Sequence, residues 1–144
     1  MRFMILVRAT RNTEQGVMPE PSLIAEMAAY HEELARAGVL VDASGLQPSA
    51  KGWRIRYDGS NRTIVDGPFV ETKELIAGYT VIQVKSREEA LEWTRRFPNP
   101  ATDGDRAEIE VRQLYDLDDF PPSEGIDRFR ELENRQEQQK SSAS

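Results

Sequence analysis

Two stretches of this chain repeat apolar residues at the three- and four-residue spacing of an amphipathic helix, and strand-like runs flank each of them. The first opens at Pro21, a residue suited to a first helical turn. It carries Leu23, Ile24, Met27, Ala28, Tyr30, His31, Leu34 and Ala35, and it ends at Gly38, which suits a left-handed C-terminal position. The second opens with Ser86 and Glu89, spaced as a capping box, continues through Ala90, Leu91, Trp93, Thr94 and Phe97, and stops before Pro98. Residues 2–8 are apolar between charged ends, the pattern of a strand buried on both faces. Val39-Leu40-Val41 starts another strand, residues 79–84 form one more, and residues 107–115 close the series with Ile109, Val111 and Leu114 on the apolar side. The order strand, helix, strands, helix, strand predicts an α+β domain. Its helices cover one face of a mainly antiparallel sheet, in the ferredoxin-like split βαβ arrangement.

The connections add detail. Residues 9–20 are polar, with Gly16 and Pro19, and predict a long loop without regular structure; residues 42–51 predict an irregular crossing. Trp53-Arg54-Ile55-Arg56-Tyr57 and Arg62-Thr63-Ile64-Val65 alternate, and Asp58-Gly59-Ser60-Asn61 between them has hairpin turn chemistry. Trp53, Ile55 and Tyr57 share one face of that hairpin. Arg54 and Arg56 take the other, which is either wet or the lining of a polar cleft.

At 144 residues the chain has the size of one domain and can bury about 70% of the surface it exposes when unfolded, enough for a core without crosslinks. It has no cysteine, which excludes disulfides, thiolate metal sites and a cysteine nucleophile, and which is compatible with the expected cytoplasmic location. The 19 Lys and Arg against 25 Asp and Glu leave a net charge of −6, so direct nucleic-acid binding is not expected. The apolar opening is too short for a signal peptide or a membrane span. With one histidine, no spaced acidic loop, no phosphate-cradling glycine loop and no nucleophile elbow, neither a metal site nor a cofactor is expected.

Asp66-Gly67-Pro68-Phe69-Val70-Glu71-Thr72-Lys73-Glu74 resembles the signature of the DGPF proteins within the YCII-related superfamily. Gly38-Val39-Leu40, Gly45-Leu46-Gln47-Pro48, Ile76-Ala77-Gly78-Tyr79, the capped Ser86-Arg87-Glu88-Glu89-Ala90 segment and Ile109-Glu110-Val111-Arg112 agree in order and spacing. The resemblance covers residues 1–115. Residues 116–144 read as an acidic and polar extension in which Ile126, Phe129 and Leu132 mark a short helix, followed by a disordered tail.

Physically, Asp66-Gly67-Pro68 is either a rigid turn that anchors Phe69 in the core or a device that sets Asp66 with Glu71 or Lys73 at the mouth of a cleft. The resemblance implies a fold of the dimeric α/β-barrel type, hence a homodimer, with a pocket between sheet and helices. Its expected lining is His31, Asp42, Arg54, Arg56, Asp66 and Phe69, with Gly67, Pro68, Glu71 and Lys73 contributing to ligand binding. A helix histidine paired with an aspartate is the superfamily's proposed catalytic dyad, and His31 with Asp42 is similar to that pair by position. The alternative role for His31 is a polar residue at the helix edge that satisfies nearby backbone. Two functions follow from the resemblance: a small enzyme or small-molecule binder, or a non-catalytic regulatory partner of an extracytoplasmic-function sigma factor.

Overall fold

The computed structural model describes residues 1–142, in two compact units that divide between Gln113 and Leu114. In the first unit, β1 (Arg2–Arg8) leads through α1 (Arg11–Glu14) and α2 (Pro21–Arg36) to β2 (Leu40–Gly45). The hairpin β3 (Trp53–Asp58) and β4 (Asn61–Asp66) intervenes before β5 (Ile76–Gln83), α3 (Arg87–Arg95) and β6 (Ile109–Gln113). Four strands form one sheet in the order β2-β5-β1-β6, and every neighbouring pair is antiparallel. The two strand–helix–strand crossovers, β1–α2–β2 and β5–α3–β6, interleave so that β1 and β5 are central. This is the ferredoxin-like α+β topology, with open sheets and no barrel closure; β3–β4 is a separate hairpin inserted between β2 and β5.

Register decides which residues meet the helices. Phe3 pairs with Ile82 and Ile5 with Thr80, and all four are buried. Tyr30 and Leu34 of α2 and Ala90 of α3 close over them, joined by Val39 and Val84, to form the core. Burial of a side chain such as Ile5 or Leu34 contributes roughly 1.5–3 kcal/mol. The Tyr30 hydroxyl donates to the Trp93 carbonyl at 2.8 Å, which ties α2 to α3 and satisfies the one polar atom of that side chain. Gly38, at φ +73°, ends α2 as its position suggests. At α3 the Ser86 hydroxyl accepts the Glu89 N–H at 3.1 Å, while the Glu89 carboxylate takes the N–H of Lys85 rather than that of Ser86.

The irregular stretches hold more structure than their composition suggests. Within residues 9–20, α1 forms because Thr10 and Thr13 cap each other's backbone N–H groups, a capping box with threonine where glutamate or glutamine is usual. The crossing after Val41 continues as β2 to Gly45, since edge pairing with β5 supplies backbone hydrogen bonds that local propensity does not announce. In the second unit, a 3₁₀ turn at Leu117–Asp119 precedes α4 (Glu124–Ser142), a helix of 19 residues where a short one was expected. Asp118 pairs with Arg130 at 2.6 Å and the Asp119 carboxylate accepts the Asp116 N–H, so this acidic pair is engaged rather than merely solvated. The end of the expected disordered tail, Ala143 and Ser144, lies outside the described residues.

Candidate functional site: a cleft between helix and sheet edge

The register of the β2–β5 pair sets Ala43 beside Thr80 and Gly45 beside Gly78. Three of these four positions carry little or no side chain, so this edge of the sheet leaves the space beneath α2 unfilled. The space left is a cleft of about 490 Å³, walled by Leu23, Ile24 and Met27 of α2, by Val7, Phe97 and Pro100, and by Thr13 and Pro19 of the loop around α1. A Cβ on Gly78 would lie 3.0 Å from the Ser44 carbonyl oxygen, so the strands' own approach favours a glycine there.

His31 reaches into the sheet from α2. Its Nδ1 lies 2.7 Å from the Met27 carbonyl oxygen and its Nε2 lies 2.8 Å from the Thr80 hydroxyl. A carbonyl can only accept, so Nδ1 carries the hydrogen; in the neutral imidazole Nε2 then accepts the Thr80 hydroxyl proton. Tyr30 and Phe97 pack edge-on against the ring, with centroids 5.5 and 6.2 Å away. Burial pushes the Tyr30 hydroxyl up to about 12, so it stays a donor at any ordinary pH.

The structure does not join His31 to Asp42. Asp42 pairs with Val81, and its side chain therefore lies on the face opposite Thr80. There it accepts the Tyr79 hydroxyl at 3.1 Å and the Ala43 N–H at 2.9 Å. That hydrogen bond to the carboxylate, reinforced by its negative charge, raises the Tyr79 hydroxyl pKa.

The signature segment is gathered around Ser49 instead. The Gly67 N–H donates to the Gly52 carbonyl at 3.0 Å, and a Cβ on Gly67 would fall 1.9 Å from the Ser49 carbonyl oxygen. The Gly67–Pro68 peptide is cis. The Phe69 N–H donates to the Ser49 hydroxyl oxygen at 3.1 Å, and the Arg54 guanidinium lies 3.8 Å from the centroid of the Phe69 ring. Asp66 ends β4 opposite Trp53, and Arg56 sits opposite Thr63 on the hairpin. Glu71 precedes the 3₁₀ turn Thr72–Glu74, within which the Lys73 carbonyl accepts from Arg8 at 3.2 Å.

Of the site residues expected from sequence, His31 alone borders the cleft, and Arg54 and Phe69 meet each other away from it. The walls are mainly apolar, not the arginine-lined surface expected. Thr80, Glu14 and Ser49 went unmarked. The legible signal for the cleft was the clustering of small residues at 43–45 and 77–78. Among the described residues no group of three or more His, Asp or Glu could hold a metal ion, and no helix is long and apolar enough to cross a membrane.

An antiparallel split βαβ domain with a helix-to-sheet cleft and a Gly-Pro-Phe turn defines a class of small α+β proteins. The chain belongs to one family of that class: residues 1–115 match the YCII-related domain. It is also similar to an uncharacterized protein of Rhizobium meliloti (strain 1021), 27% identical over 99 residues that span 69% of this chain and 80% of the relative.

Proposed function

We propose that this YCII-related protein binds a small molecule in the cleft between α2 and the β2–β5 edge, and that it works as a cytoplasmic homodimer. The cleft carries the reading: about 490 Å³ falls within the roughly 300–1,000 Å³ of small-molecule sites. His31 and Thr80 supply its polar floor. Any acid–base chemistry on a bound molecule falls to the His31 imidazole, held by Thr80 and the Met27 carbonyl, rather than to a His31–Asp42 dyad, because Asp42 bonds Tyr79 on the other face. Dimerisation is supported by the sheet face opposite the helices, where the half-buried Met4 and Leu6, beside Glu110 and Arg112 of β6, offer mixed apolar and charged area to a second copy.

Thermal shifts across a metabolite panel test this, with His31→Gln and the cleft-filling Ala28→Trp as controls. A ligand at a hundredfold excess over its Kd adds about 2.7 kcal/mol to the wild type and much less to Ala28→Trp. A panel that shifts both proteins equally, or neither, overturns the reading. Light scattering on the eluted protein reads the dimer, and a monomer mass at micromolar concentration rejects it.

A second reading, a regulatory partner of an extracytoplasmic-function sigma factor, is favoured by the hairpin. Trp53, Tyr57 and Ile64 are each about two-thirds exposed on one face of β3–β4, and a lone two-stranded hairpin is marginal in water without a partner. Co-purification lost in a Trp53→Ala, Tyr57→Ala double variant would support it, and unchanged or absent co-purification would remove it.

A further inference from the structure

We infer that the cleft selects an uncharged, predominantly apolar molecule whose polar groups are hydrogen-bond donors, an inference that rests on the small-molecule reading above. Charged residues make up 31% of the chain, yet no Asp, Glu, Lys or Arg is found among the described residues that line the cleft. An anion entering it would lose water without meeting a cation, and an ammonium would lose water without meeting a carboxylate. Either loss costs several kcal/mol when no partner replaces the solvent.

The polar lining sharpens the selection, because each of its side-chain donors is already spent. The Thr13 hydroxyl donates to the Thr10 carbonyl at 2.9 Å. The Thr80 hydroxyl is held by His31 Nε2, and His31 Nδ1–H by the Met27 carbonyl. Oxygens of this set keep lone pairs while their hydrogens are committed. Thr80, at the floor, is the acceptor nearest His31. A carboxylate or phosphate, which only accepts, finds no side-chain hydrogen here; a hydroxyl or amide N–H finds an oxygen to donate to. The apolar remainder of the ligand packs on Leu23, Ile24, Met27 and Phe97.

The test is a set of probes that share one naphthyl body and differ in the charge and hydrogen-bonding of the polar group: 2-naphthylmethanol, 2-naphthoate and 2-naphthylmethylammonium, titrated at neutral pH into the full chain and followed by calorimetry. The neutral alcohol is expected to bind at least about tenfold more tightly than either ion. Ala28→Trp and Ala43→Phe, both at exposed positions that border the cleft, are expected to abolish that binding. If naphthoate or the ammonium binds as well as the alcohol and the filling variants block it, the ligand class is wrong while the site stands. If the alcohol binds equally to the wild type and both filling variants, or if no probe saturates, the cleft itself is not a ligand site and both readings fall.

Discussion

The Glu14 carboxylate takes both donors of Ser49, the backbone N–H at 3.0 Å and the side-chain hydroxyl. The Ser49 hydroxyl oxygen in turn accepts the Phe69 N–H at 3.1 Å, and the Ser49 carbonyl is the surface against which Gly67 packs. One serine therefore links α1, whose Thr13 borders the cleft, to the Gly67-Pro68-Phe69 turn. The signature residues reach the cleft through this chain of contacts, by positioning its wall, and not by lining it.

Ser49→Ala removes the hydroxyl that bonds Glu14 and that accepts from Phe69. With two hydrogen bonds lost, one of them to a charged group, the expected cost is about 2–4 kcal/mol in urea denaturation. Faster amide exchange is expected in residues 10–17, with weaker binding of 2-naphthylmethanol because one wall of the cleft has loosened. A protein as stable as the wild type, with unchanged exchange, would show that the link through Ser49 is idle.

Gly67→Ala puts a methyl group 1.9 Å from a backbone oxygen, a separation that no side-chain motion can relieve. The turn has to move away from Ser49, breaking the Gly67 to Gly52 hydrogen bond as well. A loss of about 3 kcal/mol or more is expected, at the severe end for one methyl group. Gly59→Ala in the hairpin turn is the contrast. Its φ of +59° makes alanine strained, but nothing lies within contact distance, so a cost of roughly 1 kcal/mol is expected. Equal losses at both glycines, read by chemical denaturation, would remove the steric explanation.

How far the sequence could be read follows from the range over which each signal acts. The α2 and α3 patterns, the Ser86 cap and the Gly38 stop are local, and the structure carries all of them. So is the alternation of the hairpin, whose first strand runs one residue further than the periodicity showed and whose second runs one further at each end. The order of elements sufficed for the ferredoxin-like topology, because two crossovers of this kind admit few arrangements. The site was less legible. His31 stood out through its residue type, but its partner Thr80 lies 49 positions away and has no distinguishing mark in a β-branched strand. Asp42 is close to His31 in sequence, and side-chain alternation at the bulged start of β2 sends it to the other face. Glu14 to Ser49 is a tertiary contact between two irregular segments, for which no periodicity exists.

Removal of residues 114–144 is expected to leave the first unit folded, because every side chain of the buried core lies before residue 91 and the last strand ends at Gln113. Circular dichroism and a cooperative melt within a few degrees of the full chain would agree with this expectation. A truncated protein without a cooperative transition would show that the second unit is required for folding.

Alkaline pH supplies the remaining prediction, through Tyr30. Its hydroxyl has an ordinary pKa near 10.0 when the chain is unfolded and about 12 when buried against α3, because desolvation penalises the phenolate. Between these values the unfolded chain releases a proton that the folded chain retains. The contribution is therefore fully present below about pH 10 and is lost as pH rises through about 12. Tyr30→Phe has no such proton. It is less stable than the wild type at neutral pH, since the Trp93 carbonyl loses its donor, and the gap between the two proteins is expected to shrink steadily across that window. Denaturation midpoints measured in pairs from pH 8 upward read the difference directly, and other titrating groups cancel between the two chains. A constant gap would mean that the Tyr30 hydroxyl ionises in the folded protein as it does in water, and that the α2–α3 contact is open to solvent.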